Sequence, residues 1–183
     1  RLGDAARRME VEQVAKKDKG IAKTMPMRVL DEAGVPYEVH LHAHKQVTSA
    51  GVAADLGIPV AQVVKAMIVQ RSAHAPGQGE FAVMVVPGDR KLSLKKVAAA
   101  LGDKGVRLAA ERDVIRVTGY QIGSVSVTGF RRDDIAGYVD RRVLDLPQVI
   151  ISAGRPDAGL ALAPAGMVAA MAAQVADLCE DEA

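Results

Sequence analysis

Lys65 is the one charged residue in Val63-Val64-Lys65-Ala66-Met67-Ile68-Val69, an otherwise apolar and largely β-branched run. A charged ammonium cannot be buried in such a run without a partner. Either its stem lies along the strand and the head reaches water, or the ammonium faces a pocket and holds an anion there. A second candidate is Gly119-Tyr120-Gln121-Ile122-Gly123-Ser124-Val125-Ser126-Val127-Thr128-Gly129. Glycine and small residues let backbone N–H groups approach a ligand, where they can hold a phosphate or an oxyanion. The same composition also makes an ordinary surface turn, and the stretch lacks the phosphate-loop and dinucleotide patterns. His40, His42 and His44 alternate, but without a nearby acid or Cys they do not make a zinc site. They are expected on the solvated face of an edge strand, with His42 a candidate pocket wall. Cys179 has acidic neighbours that disfavour its thiolate, so it is expected to be structural. No Ser stands in a Gly-x-Ser-x-Gly setting, so there is no nucleophile elbow. No metal or other cofactor is implied.

These residues sit in a chain of 183 residues, 49% apolar and 25% charged, which suffices for one domain with a buried core. Aromatics are only 3%, with no Trp, which argues against a stacking platform for single strands. A single Cys excludes an intramolecular disulfide and a Cys-rich zinc site, and it suits a reducing cytoplasm. No apolar run reaches the roughly 18 residues of a membrane span. Arg1 to Lys23 carries seven Lys/Arg and four Asp/Glu and lacks the apolar middle of a secretory signal. It is expected to be a basic, flexible tail (residues 1–23) ahead of a single domain (residues 24–183). The remainder carries 17 basic and 18 acidic residues, so a basic DNA-binding surface is not expected.

Thr24 is placed to cap a helix with Met27, Leu30 and Ala33 on one face and Gly34 as its stop. Tyr37 to His42 alternates as a strand with Tyr37, Val39 and Leu41 inward. Thr48 or Ser49 opens a second helix that Gly57 ends. Val63 to Gln70 and Phe81 to Val86, joined by a loop with Pro76, Gly77 and Gly79, read as neighbouring antiparallel strands. Ser93 caps a helix that Gly102 stops. A short strand over Val106 to Leu108 and a helix over Ala110 to Val117 follow. Val143 to Leu146, Val149 to Ser152 and Leu160 to Ala163 read as strands, with a tight loop over Ala153 to Gly159. Pro164 opens a final helix through Met167, Met171, Val175 and Leu178. Hairpin-like strands mixed with helices point to α+β with a mixed sheet.

Read together, these parts are similar to the YbaK branch of the YbaK/prolyl-tRNA synthetase-associated domain family. The likeness rests on Lys23-Thr24, Met27-Arg28 and Gly34-Val35-Pro36-Tyr37, on Lys65 in its strand, and on Leu92-Ser93-Leu94-Lys95-Lys96-Val97. Thr118-Gly119-Tyr120 with Gly123, and Ser152-Ala153-Gly154, follow in the same order. The resemblance covers about Lys23 to Ala176. It implies a mixed, largely antiparallel sheet curled into a partly open barrel and flanked by helices. It also implies a trans-editing hydrolase that deacylates mischarged aminoacyl-tRNA without a metal, as in removing Cys or Ala from tRNA for proline. Its partners would be the 3′ end of aminoacyl-tRNA and an aminoacyl-tRNA synthetase.

By the same likeness Lys65 would hold the tRNA end by charge. The backbone of Gly123, Ser124, Val125, Ser126 and Val127 would polarise the ester carbonyl. His42, Thr118, Tyr120, Ser152, Ala153 and Gly154 would line the substrate pocket. An aminoacyl ester is already activated, so water can attack once donors hold the carbonyl, and no Ser/His/Asp triad is needed. Four positions depart from the family pattern: Val127 where Pro is usual, Ala66 for Thr, Ala161 for Asp, and His42 for Tyr. The rival reading is a non-catalytic module of the same fold that binds an adenosine- or phosphate-bearing ligand or a synthetase.

Overall fold

The computed structural model describes residues 21–42, 48–74 and 79–181. Residues 1–20 of the expected tail, His44, and the tip of the loop after Gln70 lie outside the described residues. Lys23, assigned to the tail, donates to Asp31 and to the Tyr37 hydroxyl, both at 2.8 Å.

Two sheets form. Strands β2 (Lys65–Gln70) and β3 (Phe81–Val86) pair antiparallel, Lys65 opposite Val86 and Gln70 opposite Phe81, as their apolar runs predict. Strand β4 (Arg107–Leu108) pairs antiparallel on the outer side of β2, while β5 (Ala136–Asp140) and β8 (Gln174–Ala176) continue in parallel beyond β3. The second sheet is antiparallel and has the order β1 (Glu38–Leu41), β7 (Ala158–Leu162), β6 (Val149–Arg155). The architecture is mixed α+β, but the sheet is not closed into the expected barrel. The sheets meet through one parallel bridge, Val63 to Ile150, and a Val64 N–H to Ile150 carbonyl bond of 3.2 Å. Pairing goes no further upstream because Val63 ends the 3-10 turn Val60–Gln62, with φ −87 and ψ 86.

Burial follows the strand period. In β3, Phe81, Val83 and Val85 face the core between the sheets, where Ile151, Leu160 and Leu162 meet them. Ala82, Met84 and Val86 face the other way, onto Val97 of helix α3 (Leu94–Leu101), Leu178 and Cys179. Strands covered on both faces read as continuous apolar runs, and each fully buried Val or Met contributes about 1.5–3 kcal/mol. Helix α1 (Met25–Glu32) adds Met27 and Leu30 to the first core, while Ala33 is exposed. Thr48 Oγ1 caps helix α2 (Ser49–Leu56) by accepting from Gly51 N–H, and Ser93 Oγ caps α3 by accepting from Lys96 N–H. Gly57 and Gly102 end these helices at φ 66 and 64, where glycine is unstrained. Thr24 stands before α1 but makes no side-chain cap; Pro26 in the first turn supplies the preset φ instead.

Several local expectations are corrected. Leu41 is 57% exposed, because it ends an edge strand beyond the cover of the core. Arg141–Asp145 is a 3-10 turn rather than a strand, started by the Asp140 carboxylate accepting from Arg142 N–H at 2.9 Å. Strand β6 runs on through Arg155 with a bulge after Ser152, so the expected loop shrinks to Pro156-Asp157. Helix α5 (Pro164–Met171) stops early, at the left-handed Ala172, and Val175 lies in β8 opposite Val139. Cys179 follows that strand and is wholly buried, and burial pushes its thiol up to about 12. Helix α4 (Glu111–Thr118) precedes the Gly-rich loop. No described helix is long and apolar enough to cross a membrane.

Asp103, just past α3, accepts from the Ser72 hydroxyl and from the N–H groups of Ser72, Gly105 and Ala73. The Ser72 hydroxyl bond is the main reason its carboxyl falls to about 2 from 3.8, with the backbone donors adding to it. A depressed carboxyl stabilises the fold above its unfolded pKa, and that contribution is lost as pH falls from about 4 towards 2. Melting curves from pH 5 to 2 should therefore be flatter for Asp103→Asn than for the parent. Parallel curves would contradict this latch.

Candidate functional site

A cleft of about 400 Å³ opens where the two sheets meet. Strand β2 contributes Lys65, Ala66 and Ile68, the second sheet contributes Ser152, and the Gly-rich loop contributes Gly123 and Val125. His42, 8% exposed, also lines it.

The loop is shaped by its own hydrogen bonds. Ser124 N–H donates to the Gln121 carbonyl at 3.0 Å, and Gly123 has φ 85 at the third position of that turn, which favours glycine. Tyr120 crosses the loop, its hydroxyl reaching the Thr128 and Gly129 carbonyls at 2.9 and 2.8 Å. Thr118 Oγ1 donates to the Val114 carbonyl and accepts from Tyr120 N–H. Burial raises the Tyr120 phenol far above its usual range, so it stays a neutral donor. Thr118 and Tyr120 are buried braces and do not line the cleft.

Three serines tie this loop to β6. The Ser152 hydroxyl donates to the Ser124 carbonyl at 2.9 Å and accepts from Gly154 N–H at 3.1 Å. Ser126 Oγ, wholly buried, donates to the Ser152 carbonyl at 2.6 Å. With its proton committed to Ser124, Ser152 is a poor nucleophile but a firm clamp. Ala153 lies in the core, and Gly154 has φ 83. A Cβ at 154 would stand 2.8 Å from the Tyr120 ring. Val127 is 3% exposed and packs into the core between the sheets. Of the sequence candidates, then, Lys65, Gly123, Val125, Ser152 and His42 share the cleft, while Ser124, Ser126, Val127, Thr118, Tyr120, Ala153 and Gly154 stand behind it.

Lys65 is half-buried, and its ammonium donates to the Arg90 carbonyl rather than to either loop. Burial lowers its pKa from 10.5, an effect that the nearby Cys179 and Asp89 partly oppose. His40 is exposed to 38% at its side chain and stands 3.6 Å from Glu38, away from the cleft. Sequence reasoning missed Arg155, which lines the cleft and reaches Asp157 at 2.7 Å, and the half-exposed lip residues Leu108 and Ile122. A basic residue directly after Ser152-Ala153-Gly154 was the available signal for Arg155.

Among the described residues no Asp, Glu or Cys lines the cleft, whereas Lys65, His42 and Arg155 all do. The N–H groups of Gly123 and Val125 have no acceptor among the described residues. Such a site suits an anionic ligand and an already reactive carbonyl held by backbone donors.

Known proteins share this sequence pattern and fold. Residues 43–170 match the family described as aminoacyl-tRNA editing domain. The chain is 29% identical over 168 residues to an Enterococcus faecalis protein named "Putative Cys-tRNA(Pro)/Cys-tRNA(Cys) deacylase EbsC", covering 91% of this chain and 99% of that one. It is 31% identical over 130 residues to the proline--tRNA ligase of Thiobacillus denitrificans, which is 70% of this chain and 22% of the ligase. A crystal structure described as "a putative trans-editing enzyme for prolyl tRNA synthetase" superposes at TM-score 0.77 and 25% identity, covering 88% of this chain and 100% of that one. With a family match spanning both walls of the cleft and a shared fold over nearly the whole chain, the protein belongs to the aminoacyl-tRNA editing domain family.

Proposed function

We propose that this protein is a trans-acting deacylase that hydrolyses the ester of mischarged aminoacyl-tRNA carrying a small amino acid such as Cys or Ala, with tRNA for proline as the leading substrate. The observation that carries the reading is a cleft that, among the described residues, combines Lys65 with two acceptor-free backbone N–H groups and is lined by no carboxylate or thiol. The ammonium of Lys65 attracts the phosphate of the tRNA 3′ end. The N–H groups of Gly123 and Val125 receive the negative charge that grows on the ester oxygen when water attacks. The carbon–oxygen bond to the terminal ribose then breaks, the ribose oxygen takes a proton, and the amino acid leaves as its carboxylate.

Because an aminoacyl ester needs little activation, positioning and oxyanion donors suffice. The clamp formed by Ser152, Ser124 and Ser126 keeps the donors in place. The apolar walls fit a small uncharged side chain. Such an activity places the protein beside a synthetase in translation, with the cytoplasm as its setting.

The reading is tested with a non-hydrolysable 3′-alanylamido-adenosine 5′-phosphate. Titration should shift the backbone amide resonances of Gly123 and Val125 and those of Lys65, with little change around Asp103. Saturable binding that leaves Gly123 and Val125 unmoved would overturn the oxyanion assignment.

A further inference from the structure

We infer that Asp140 is a positioning residue for Lys65, acting through the C-terminal strap of residues 178–180 and the turn that carries Arg90. The inference rests on the role given to Lys65 above. Asp140 ends β5, and its side chain is wholly buried. It accepts the N–H groups of Leu178 at 2.7 Å, Cys179 at 3.0 Å and Arg142 at 2.9 Å, and the Arg142 guanidinium at 3.2 Å from each oxygen. Arg142 in turn holds Asp177, just ahead of the strap, at 2.9 Å. Burial alone would raise the Asp140 carboxyl, but these donors outweigh it and hold the carboxyl below the usual range. A buried charge is costly unless it is matched, so this carboxylate is committed to the segments it joins.

The strap passes the constraint on. Ser93 N–H donates to the Leu178 carbonyl at 2.8 Å, Glu180 N–H donates to the Lys91 carbonyl at 2.9 Å, and Leu92 bridges Cys179 antiparallel. Arg90 directly precedes this short ladder, and its N–H closes a turn onto the Pro87 carbonyl at 3.1 Å. The Arg90 carbonyl is the acceptor of the Lys65 ammonium. A second route runs through packing. Leu178 and Cys179, both wholly buried, share a core cluster with Val86, the register partner of Lys65. Asp140 is thus linked to Lys65 by hydrogen bonds along one route and by packed side chains along another. Without the strap the Arg90 carbonyl is free to turn to solvent, and the ammonium loses its fixed acceptor beside the cleft.

A double-mutant cycle tests this. Asp140→Asn keeps the shape but removes the charge, and it should lower kcat/KM for deacylation by about tenfold. In a Lys65→Ala background the same change should cost no more than about twofold, because the residue it acts through is gone. Glu180→Pro, at an exposed residue, removes the N–H that donates to the Lys91 carbonyl, and it should lower kcat/KM by about fivefold with the fold intact. If Asp140→Asn does not fold, Glu180→Pro carries the cycle. The second readout does not depend on catalysis. Proton exchange of the 15N-labelled Lys65 ammonium should quicken about tenfold in either variant as its acceptor is released. Equal costs in the parent and Lys65→Ala backgrounds, or unchanged ammonium exchange in a folded variant, would overturn the positioning role. Full activity of Lys65→Ala would instead remove the deacylase role of Lys65, and the exchange measurement would still decide whether Asp140 positions it.

Discussion

Replacing Lys65 with Ala is expected to lower deacylation of a mischarged tRNA by about a hundredfold, a barrier change on the order of 3 kcal/mol. Lys65 is the positive residue of strand β2 at the cleft, its ammonium held beside it on the Arg90 carbonyl, and its burial makes its charge count for more than it would in water. Lys65→Arg should recover only part of the rate, because a planar guanidinium does not fit a site shaped for a compact ammonium on the Arg90 carbonyl. Both variants should fold, since Lys65 is half-buried and its loss leaves a carbonyl that water can reach. The pH profile carries a second signature. Burial lowers the Lys65 pKa from 10.5, so the charged form is lost earlier on the alkaline side than for an ordinary lysine. After subtraction of the uncatalysed ester hydrolysis, the enzymatic rate should fall as pH rises through that lowered pKa, and the fall should vanish in Lys65→Arg. Wild-type rates in Lys65→Ala would remove this residue from the mechanism.

Ser152→Ala is expected to act on both stability and rate. The hydroxyl holds the Ser124 carbonyl and Gly154 N–H together, and its loss strands both groups beside a buried loop. Leaving such groups unpaired costs about 1–3 kcal/mol. For a chain of this size that lowers the melting temperature by roughly 2–4 °C per kcal/mol. The turn carrying Gly123 and Val125 then loosens, and kcat should drop more than about tenfold, because oxyanion donors act only when held in place. Since Ser152 is a clamp and not a nucleophile, no burst of acyl-enzyme should appear in the parent protein. An unchanged melting temperature together with an unchanged kcat would show that the clamp does not matter.

Part of this site was legible in the sequence for local reasons. Lys65 announced itself because one charge interrupted an apolar strand, and Gly123 because it lies in a stretch of glycine and small residues whose backbone N–H groups can approach a ligand. The pairing of β2 with β3 followed from two β-branched runs joined by a Gly/Pro loop. What was not legible depends on contacts across the chain. Thr118 and Tyr120 look like polar pocket residues in sequence, yet their hydroxyls are spent on carbonyls of their own neighbourhood. Val127 departs from the family's Pro, and its side chain fills the core between the sheets. Strand β5 has a Gly at its second position and no apolar alternation, so only its place between β3 and β8 defines it. The barrel expectation failed at Val63, where a 3-10 turn reduces the joint between sheets to a single bridge.

The deacylase reading is tested most directly by mixing catalytic amounts of the full chain with a panel of aminoacyl-tRNAs and following loss of the ester. The panel holds Cys-, Ala- and Ser-charged tRNA for proline, with correctly charged Pro-tRNA as the control. At least one small mischarged amino acid should be released much faster than in buffer, the correctly charged species should persist, and Lys65→Ala should abolish most of the difference. Hydrolysis of none of the panel above the buffer rate, with the protein folded, would contradict the deacylase reading and leave a binding module of the same fold.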